Sequence, residues 1–232
     1  MIQVHPADQR YSADHGWLKS NFSFSFADYY DPNNTEFGPL RVLNDDIVAP
    51  QRGFGAHPHR EMEIVSIVLR GELKHEDSTG HSAVTTFGGV QRMTAGTGII
   101  HSEVNPGDDE VAFLQLWFTP DTRGLEPSYE TTQYEPDQLT NRLLPIVAKS
   151  GGNGIASIHQ DLTLYLSKLE AGKALTFTQP EGRRIYVHVL EGDLQLNDST
   201  SLKTRDAARI TQTPELTLHS ADGAFFMLID LP

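Results

Sequence analysis

At 232 residues the chain is long enough for one large or two small domains with a real core, and 38 % hydrophobic with 21 % charged residues is an ordinary globular balance. A net charge of −13, from 18 basic against 31 acidic residues with no Lys/Arg-rich block, argues against direct nucleic-acid binding. The absence of cysteine excludes disulfides, thiolate metal sites and a cysteine nucleophile, and fits a cytoplasmic protein. The opening MIQVHPADQR lacks the apolar core of a secretory signal, and no apolar run approaches a membrane span.

In chain order, IQVH is expected as a short edge strand. NFSFSFA (21–27) alternates Phe22, Phe24 and Phe26 with polar residues, the period-two mark of a strand with one buried face. DYYDPNNTEFGP, rich in Asp, Pro, Asn and Gly, reads as loop in which Tyr29 and Tyr30 serve packing. Leu40 to Asn44 is a further strand, closed by Asp45 and Asp46 as a solvated turn.

Two histidine pairs follow. His57-Pro58-His59 precedes the apolar strand EIVSIVL (63–69), and His101-Ser102-Glu103 follows the small-residue run Ala95-Gly96-Thr97-Gly98. In extended chain, spacing i, i+2 puts both members of a pair on one face. The intervening forty-odd residues allow the second pair to return beside the first. Three imidazoles and a carboxylate then converge, a set that suits borderline divalent metals and leaves coordination positions open for oxygen chemistry. Glu63, four residues after His59, rivals Glu103 as the carboxylate, and spacing does not choose between them. His75 and His81 flank the turn DSTG and are expected as exposed strand-end residues. In VAFLQLWF (111–118), Phe113, Gln115 and Trp117 share one face and Leu114, Leu116 and Phe118 the other; one of these faces should line the interior.

Residues 119–145 read as a connecting loop, and SGGNG (150–154) as a turn. RIYVHVLEGDLQLNDST (184–200) then aligns without gaps to EIVSIVLRGELKHEDST (63–79) at an offset of 121, an internal repeat implying two similar β-domains. The expected division is 1–135, carrying the metal site, and 136–232, without metal ligands. At the repeat offset His57, His59 and Glu63 fall on Thr178, Pro180 and Arg184, which cannot form such a site. His159, His188 and His219 are expected to be structural or exposed. The terminal AFFMLIDLP is one more apolar strand. Short strands split by Gly-, Pro- and Asp-rich turns indicate an all-β pair of sandwiches or barrels.

HPHREME and Gly98-His101-Asn105 (GxxHxxxN) resemble the two motifs of the cupin superfamily. More narrowly, HGWLKSNFSFSFADYYDP, LRVLNDD, GFGAHPHREMEIV, HEDSTG, MTAGTGIIHSE and LQLWFTP resemble, in order, the pirin family with its bacterial quercetinase-like members, over about residues 14–130. The general cupin pattern is not followed everywhere: the leading glycine of the first motif is displaced, and seven residues rather than six separate Glu63 from Gly71.

The resemblance implies a bicupin of two jelly-roll β-barrels. It implies a metal held by His57, His59, His101 and Glu103, with Glu63 left to a supporting role. The implied metal is iron(II) first, with nickel, manganese, cobalt, copper or zinc open. The implied activity is quercetin 2,3-dioxygenase-type cleavage of a flavonol by dioxygen, with Glu103 as general base. Since pirin itself is regarded as a metal-dependent partner of transcription regulators, the other implied role is a binding module acting through a protein partner.

Overall fold

The computed structural model describes all 232 residues, almost entirely as β-strands with two short 3-10 turns, and resolves into two compact units. The first unit comprises Tyr11–Tyr134 with Lys149–Gln160. Its larger sheet runs in the order Ser128–Gln133, Gly89–Thr94, Glu63–Arg70, Val111–Phe118, Leu40–Val48, Leu18–Phe22, Tyr11–Asp14. A smaller sheet runs Gly53–His59, Ile99–Val104, Leu73–Asp77, Ser82–Thr85. All pairings are antiparallel. The result is a cupin-type barrel.

The second unit comprises Met1–Arg10, Glu135–Ala148 and Asp161–Pro232. Its larger sheet repeats the same order with Ile2–His5, Ala207–Thr211, Arg184–Gly192, Ala224–Leu231, Thr163–Leu169 and Leu144–Ala148, and its smaller one with Lys173–Thr178, Glu215–Ser220, Leu194–Leu196 and Thr200–Leu202. The repeated segment thus supplies the third strand of each larger sheet and the third of each smaller one, and AFFMLIDLP lies beside it as Ala224–Leu231, the central strand. The units differ from a single cut at 135/136 in two places. Ile2–His5 adds to the edge of Ala207–Thr211, pairing Ile2 with Ile210 and His5 with Ala207. Residues 149–160 return to the first unit, where the backbone N–H of His159 donates to the Glu63 carboxylate at 3.1 Å.

Three local expectations change. The strand expected at 21–27 is Leu18–Phe22, and Phe24 and Phe26 lie beyond it, with Phe24 fully buried. Asp45 and Asp46 are not a solvated turn but interior residues of the nine-residue strand Leu40–Val48, both buried. Strand alternation turns Asp46 inward, where Ser20 Oγ donates to its carboxylate. The connection 119–145 contains the strand Ser128–Gln133 and the 3-10 turn Pro136–Leu139. The polar composition of SYETTQ hides this strand, because it is an edge strand paired on one side only, to Gly89–Thr94. Tyr29 stacks on Tyr11 at 4.8 Å, whereas Tyr30 is 75 % exposed.

Candidate metal centre

His57 and His59 lie on Gly53–His59, the edge strand of the smaller sheet, and Pro58 between them is tolerated there because an edge position demands fewer ladder bonds. The neighbouring strand Ile99–Val104 places His101 directly opposite His57. A bulge follows at once: Glu103 faces Phe54, so Gly55 and Ala56 together oppose Ser102. Such a bulge re-aims side chains beside it. Here the Gly55 carbonyl accepts from His57 Nδ1–H at 2.7 Å. Gly53 is required at the same crossing, since a Cβ there would lie 2.3 Å from the Glu103 carbonyl oxygen.

The three imidazoles converge. Ring centroids are 4.7 Å apart for His57–His59, 4.6 Å for His57–His101 and 4.9 Å for His59–His101, and one nitrogen from each ring lies within 4.8 Å of the others. His101 is buried, and its Nε2 has no hydrogen-bond partner. A buried unpaired nitrogen among two other imidazoles costs free energy as it stands and is relieved by a cation. Burial, then the charge of His57, lowers His59 to about 4. Burial, then His57, His59 and His75, lowers His101 to about 3. Both rings are therefore neutral near pH 7, the form that binds metal. The donor set fits a divalent ion of the imidazole-binding group.

Glu103 stands outside that tight cluster. Ser66 Oγ–H donates to its Oε1 at 2.9 Å and Gln115 Nε2–H to its Oε2 at 2.5 Å, while Trp117 Nε1–H donates to Gln115 Oε1 at 3.2 Å. Burial pushes the Glu103 carboxyl up to about 7, against the pull of those two bonds. Ser66 and Gln115 are paired across the larger sheet, so the inward face of Val111–Phe118 is the one carrying Phe113, Gln115 and Trp117. A lone Ser in EIVSIVL and a lone Gln in VAFLQLWF were the available sequence signals for this support.

Glu63 is not on the face of His57 and His59. The chain breaks at Arg60–Met62, with Glu61 in the left-handed region (φ 51°), and Glu63 opens a strand of the other sheet. It is fully buried and receives the His159 N–H, a structural role. His81 is exposed as expected, but His75 is buried, stacked on Tyr129 at 4.0 Å and 7°. The strand Ser128–Gln133 brings that ring in, which is why the sequence alone misplaces His75. His188 is fully buried in the second unit.

A cavity of about 500 Å³ opens beside the imidazoles. Trp17, Phe22, Phe26, Phe54 and Trp117 form its apolar walls, and His57, His59, Glu103, Asn44, Asp46 and Gln115 its polar points. Trp117 packs edge-on to His59 at 4.7 Å.

In the second unit the ladder shows what replaces the ligands. Leu196 faces Leu218 as His75 faces Glu103, and Leu175 faces Leu218 as Phe54 faces Glu103, so Leu218 stands for Glu103. Phe177 and Leu216, paired with each other, then stand for His57 and His101, and Gln179, whose N–H donates to the Pro214 carbonyl at 3.0 Å, stands for His59. The ungapped repeat pointed to Thr178 and Pro180 instead, because the second unit's ladder lacks the bulge at this place and the register slips by one residue.

The family model described as Pirin matches residues 4–118, and that described as the quercetinase C-terminal cupin domain matches residues 145–231. A quercetin 2,3-dioxygenase of Escherichia coli K12 is 37 % identical over all of this chain and 99 % of its own. A pirin-like protein of Caulobacter vibrioides is 35 % identical over 99 % of each. The solved bacterial pirin YhhW of Escherichia coli, in complex with nickel(II), superimposes with a TM-score of 0.94 at 35 % identity, covering 100 % of this chain and 99 % of that one. With its two cupin barrels, its histidine cluster and these full-length relatives, the chain belongs to the pirin family.

Proposed function

We propose that the protein is a metal-dependent quercetin 2,3-dioxygenase-type enzyme, in which His57, His59, His101 and Glu103 hold iron(II). The observation that carries this reading is the opening of three converging imidazoles, beside the buried Glu103 carboxylate, onto an aromatic-walled cavity. A bound divalent ion supplies a Lewis acid for the flavonol oxygens and a redox-capable centre for dioxygen. The relatives named quercetin 2,3-dioxygenase and the nickel(II) complex of YhhW support the same chemistry.

The chain's own residues do the rest. Trp17, Phe26 and Trp117 offer flat apolar surface to a polycyclic aromatic ligand, and a cavity of this volume lies within the range of small-molecule sites. Glu103, aimed by Ser66 and the Trp117–Gln115 pair, accepts the flavonol 3-hydroxyl proton. Asn44 and Asp46 face the same cavity and offer partners to the ligand's other hydroxyls.

Protein loaded anaerobically with iron(II) or nickel(II) and then given oxygen and quercetin should consume the flavonol and release carbon monoxide. Glu103→Gln should lower kcat by about 10²–10⁴-fold. Loaded protein that leaves quercetin intact would overturn the reading.

A further inference from the structure

The cluster has a neighbour that the proposed chemistry does not use. His75 and Asp77 lie on Leu73–Asp77, the strand on the other side of Ile99–Val104 from His57 and His59. Asp77 is paired with His101 and His75 with Glu103, so all face the same interior. The two side chains are buried, at 1 % and 0 % exposure, and joined by His75 Nε2 and Asp77 Oδ2 at 2.9 Å. On its other side, His75 Nδ1 meets His101 Nδ1 at 3.4 Å.

The order of these contacts fixes where the protons are. Asp77 Oδ1 accepts from the Thr79 N–H (2.8 Å), the Thr79 hydroxyl (2.6 Å) and the His81 N–H (3.3 Å), which locks the carboxylate with Oδ2 aimed at His75. Burial raises the Asp77 carboxyl, but the bonds from His75, Thr79 and His81 outweigh it and hold the group well below its usual range. An ionised carboxylate only accepts, so His75 Nε2 carries a proton. In the neutral ring Nδ1 is then an acceptor, and the proton between the two Nδ1 atoms belongs to His101. That leaves His101 Nε2 bare, and it is this atom that has no partner in the buried cluster. His57 reaches the same tautomer by a shorter route, through the Gly55 carbonyl.

We propose that Asp77 and His75 form a relay that sets the tautomer of His101 and keeps its Nε2 lone pair free for the metal, making both of them positioning residues of the centre. The proposal rests on His101 being a metal ligand. Tyr129 serves it by stacking on His75, which fixes the plane of the ring. Outer partners of this kind orient a ligand and strengthen its donation.

Nitrogen-15 NMR of histidine-labelled, metal-free protein reads each ring's tautomer directly. The expected result is Nε2–H for His75 and Nδ1–H for His101. His75→Phe keeps the stack on Tyr129 but removes the acceptor. His101 should then populate the Nε2–H form, and nickel(II) affinity, measured calorimetrically, should fall about 10–100-fold. His75→Gln carries a side-chain oxygen that accepts from His101 and an amide that donates to Asp77, and should recover most of both. A purely structural role would instead lower the melting temperature in both variants while the tautomer and the affinity stayed put. An Nε2–H tautomer at His101 in the unaltered protein, or a folded His75→Phe with native affinity, overturns the proposal. Should His75→Phe not fold, the native tautomers and His75→Gln decide it. Expected tautomers without nickel(II) uptake would support the relay while removing the metal reading of the site.

Discussion

The two barrels share strand order and a repeated sequence segment, yet their interiors are built on opposite principles. In the second, Phe177, Leu216 and Leu218 join Leu194, Leu196, Leu202 and the inward residues of the larger sheet in one continuous apolar cluster. In the first, apolar packing is divided between a cluster around Phe113, Val68 and Leu73 and another around Ile64, Met93 and Ile99. Between them run Asn44, Gln115 and Ser66, paired strand to strand, with Glu103 and the histidines above. The same scaffold can hold oil or a polar centre. The second barrel shows what the fold gains when positions 57, 101 and 103 carry Phe177, Leu216 and Leu218 instead: burial of leucine and phenylalanine, each worth about 1.5–3 kcal/mol. The first gives up that packing for unpaired polar atoms, which bind.

The sharpest way to break the contrast is to write the second barrel's residue into the first. His101→Leu places at the centre the side chain found opposite Phe177, removes one of three nitrogens and caps the other two with hydrocarbon. Metal affinity should drop by more than about 100-fold, beyond what loss of an outer partner costs, while the melting temperature of the metal-free protein holds or rises. Equilibrium metal titration and calorimetry check both parts. A variant that still binds nickel(II) tightly would dissolve the distinction between the interiors.

The next largest effect is in the other barrel. Leu216 is fully buried in a core with no polar interruption, so Leu216→Ala should cost about 2–5 kcal/mol by chemical denaturation. The corresponding change in the first barrel, His101→Ala, opens space beside an existing cavity and should cost the metal-free protein much less. Equal losses would show that the first interior is packed as firmly as the second.

Much of this was legible in the residues, and the illegible part has a common cause. Same-face pairs at i, i+2 are a local property, so the two pairs His57/His59 and His101/Glu103 stood out from spacing, whereas the preference for Glu103 over Glu63 came only from the pirin resemblance. The repeat at 63–79 and 184–200 exposed one strand of each larger sheet and one of each smaller sheet because strand pattern survives when loops change. What spacing could not show was anything set by a distant partner. His75 is buried by Tyr129, more than fifty residues on, from a strand too polar to be read as one. Asp46 is interior because Ser20 meets it from the neighbouring strand, and Glu63 turned away because a left-handed residue at 61 ended the strand early. Met1–Arg10 joined the far unit through a ladder to Ala207–Thr211, a pairing across the whole length of the chain.

A subtler contrast lies within the repeat itself. His188 occupies the place of Ile67, and both are fully buried on the repeated strand of the larger sheet. Neither ring nitrogen of His188 has a partner, and burial, followed by the charges of Arg10 and Arg205, holds its pKa well below the usual value. A histidine lowered in the folded state is neutral there but gains a proton on unfolding once the pH falls below about 6.5. Its contribution is therefore complete above that pH and is lost progressively below it, with a slope approaching about 1.4 kcal/mol per pH unit for one proton. His188→Ile should remove that component of the acid limb between about pH 6.5 and the point where the other groups dominate, and should raise stability at pH 7 by about 1–3 kcal/mol through loss of two unpaired buried nitrogens. Urea denaturation at pH 5, 6 and 7 separates the two effects. A flatter slope with no gain at pH 7 would mean that packing lost around isoleucine offsets the polar relief. An unchanged slope would mean that the proton is taken up elsewhere, and that position 188 is as inert as the isoleucine in the other barrel.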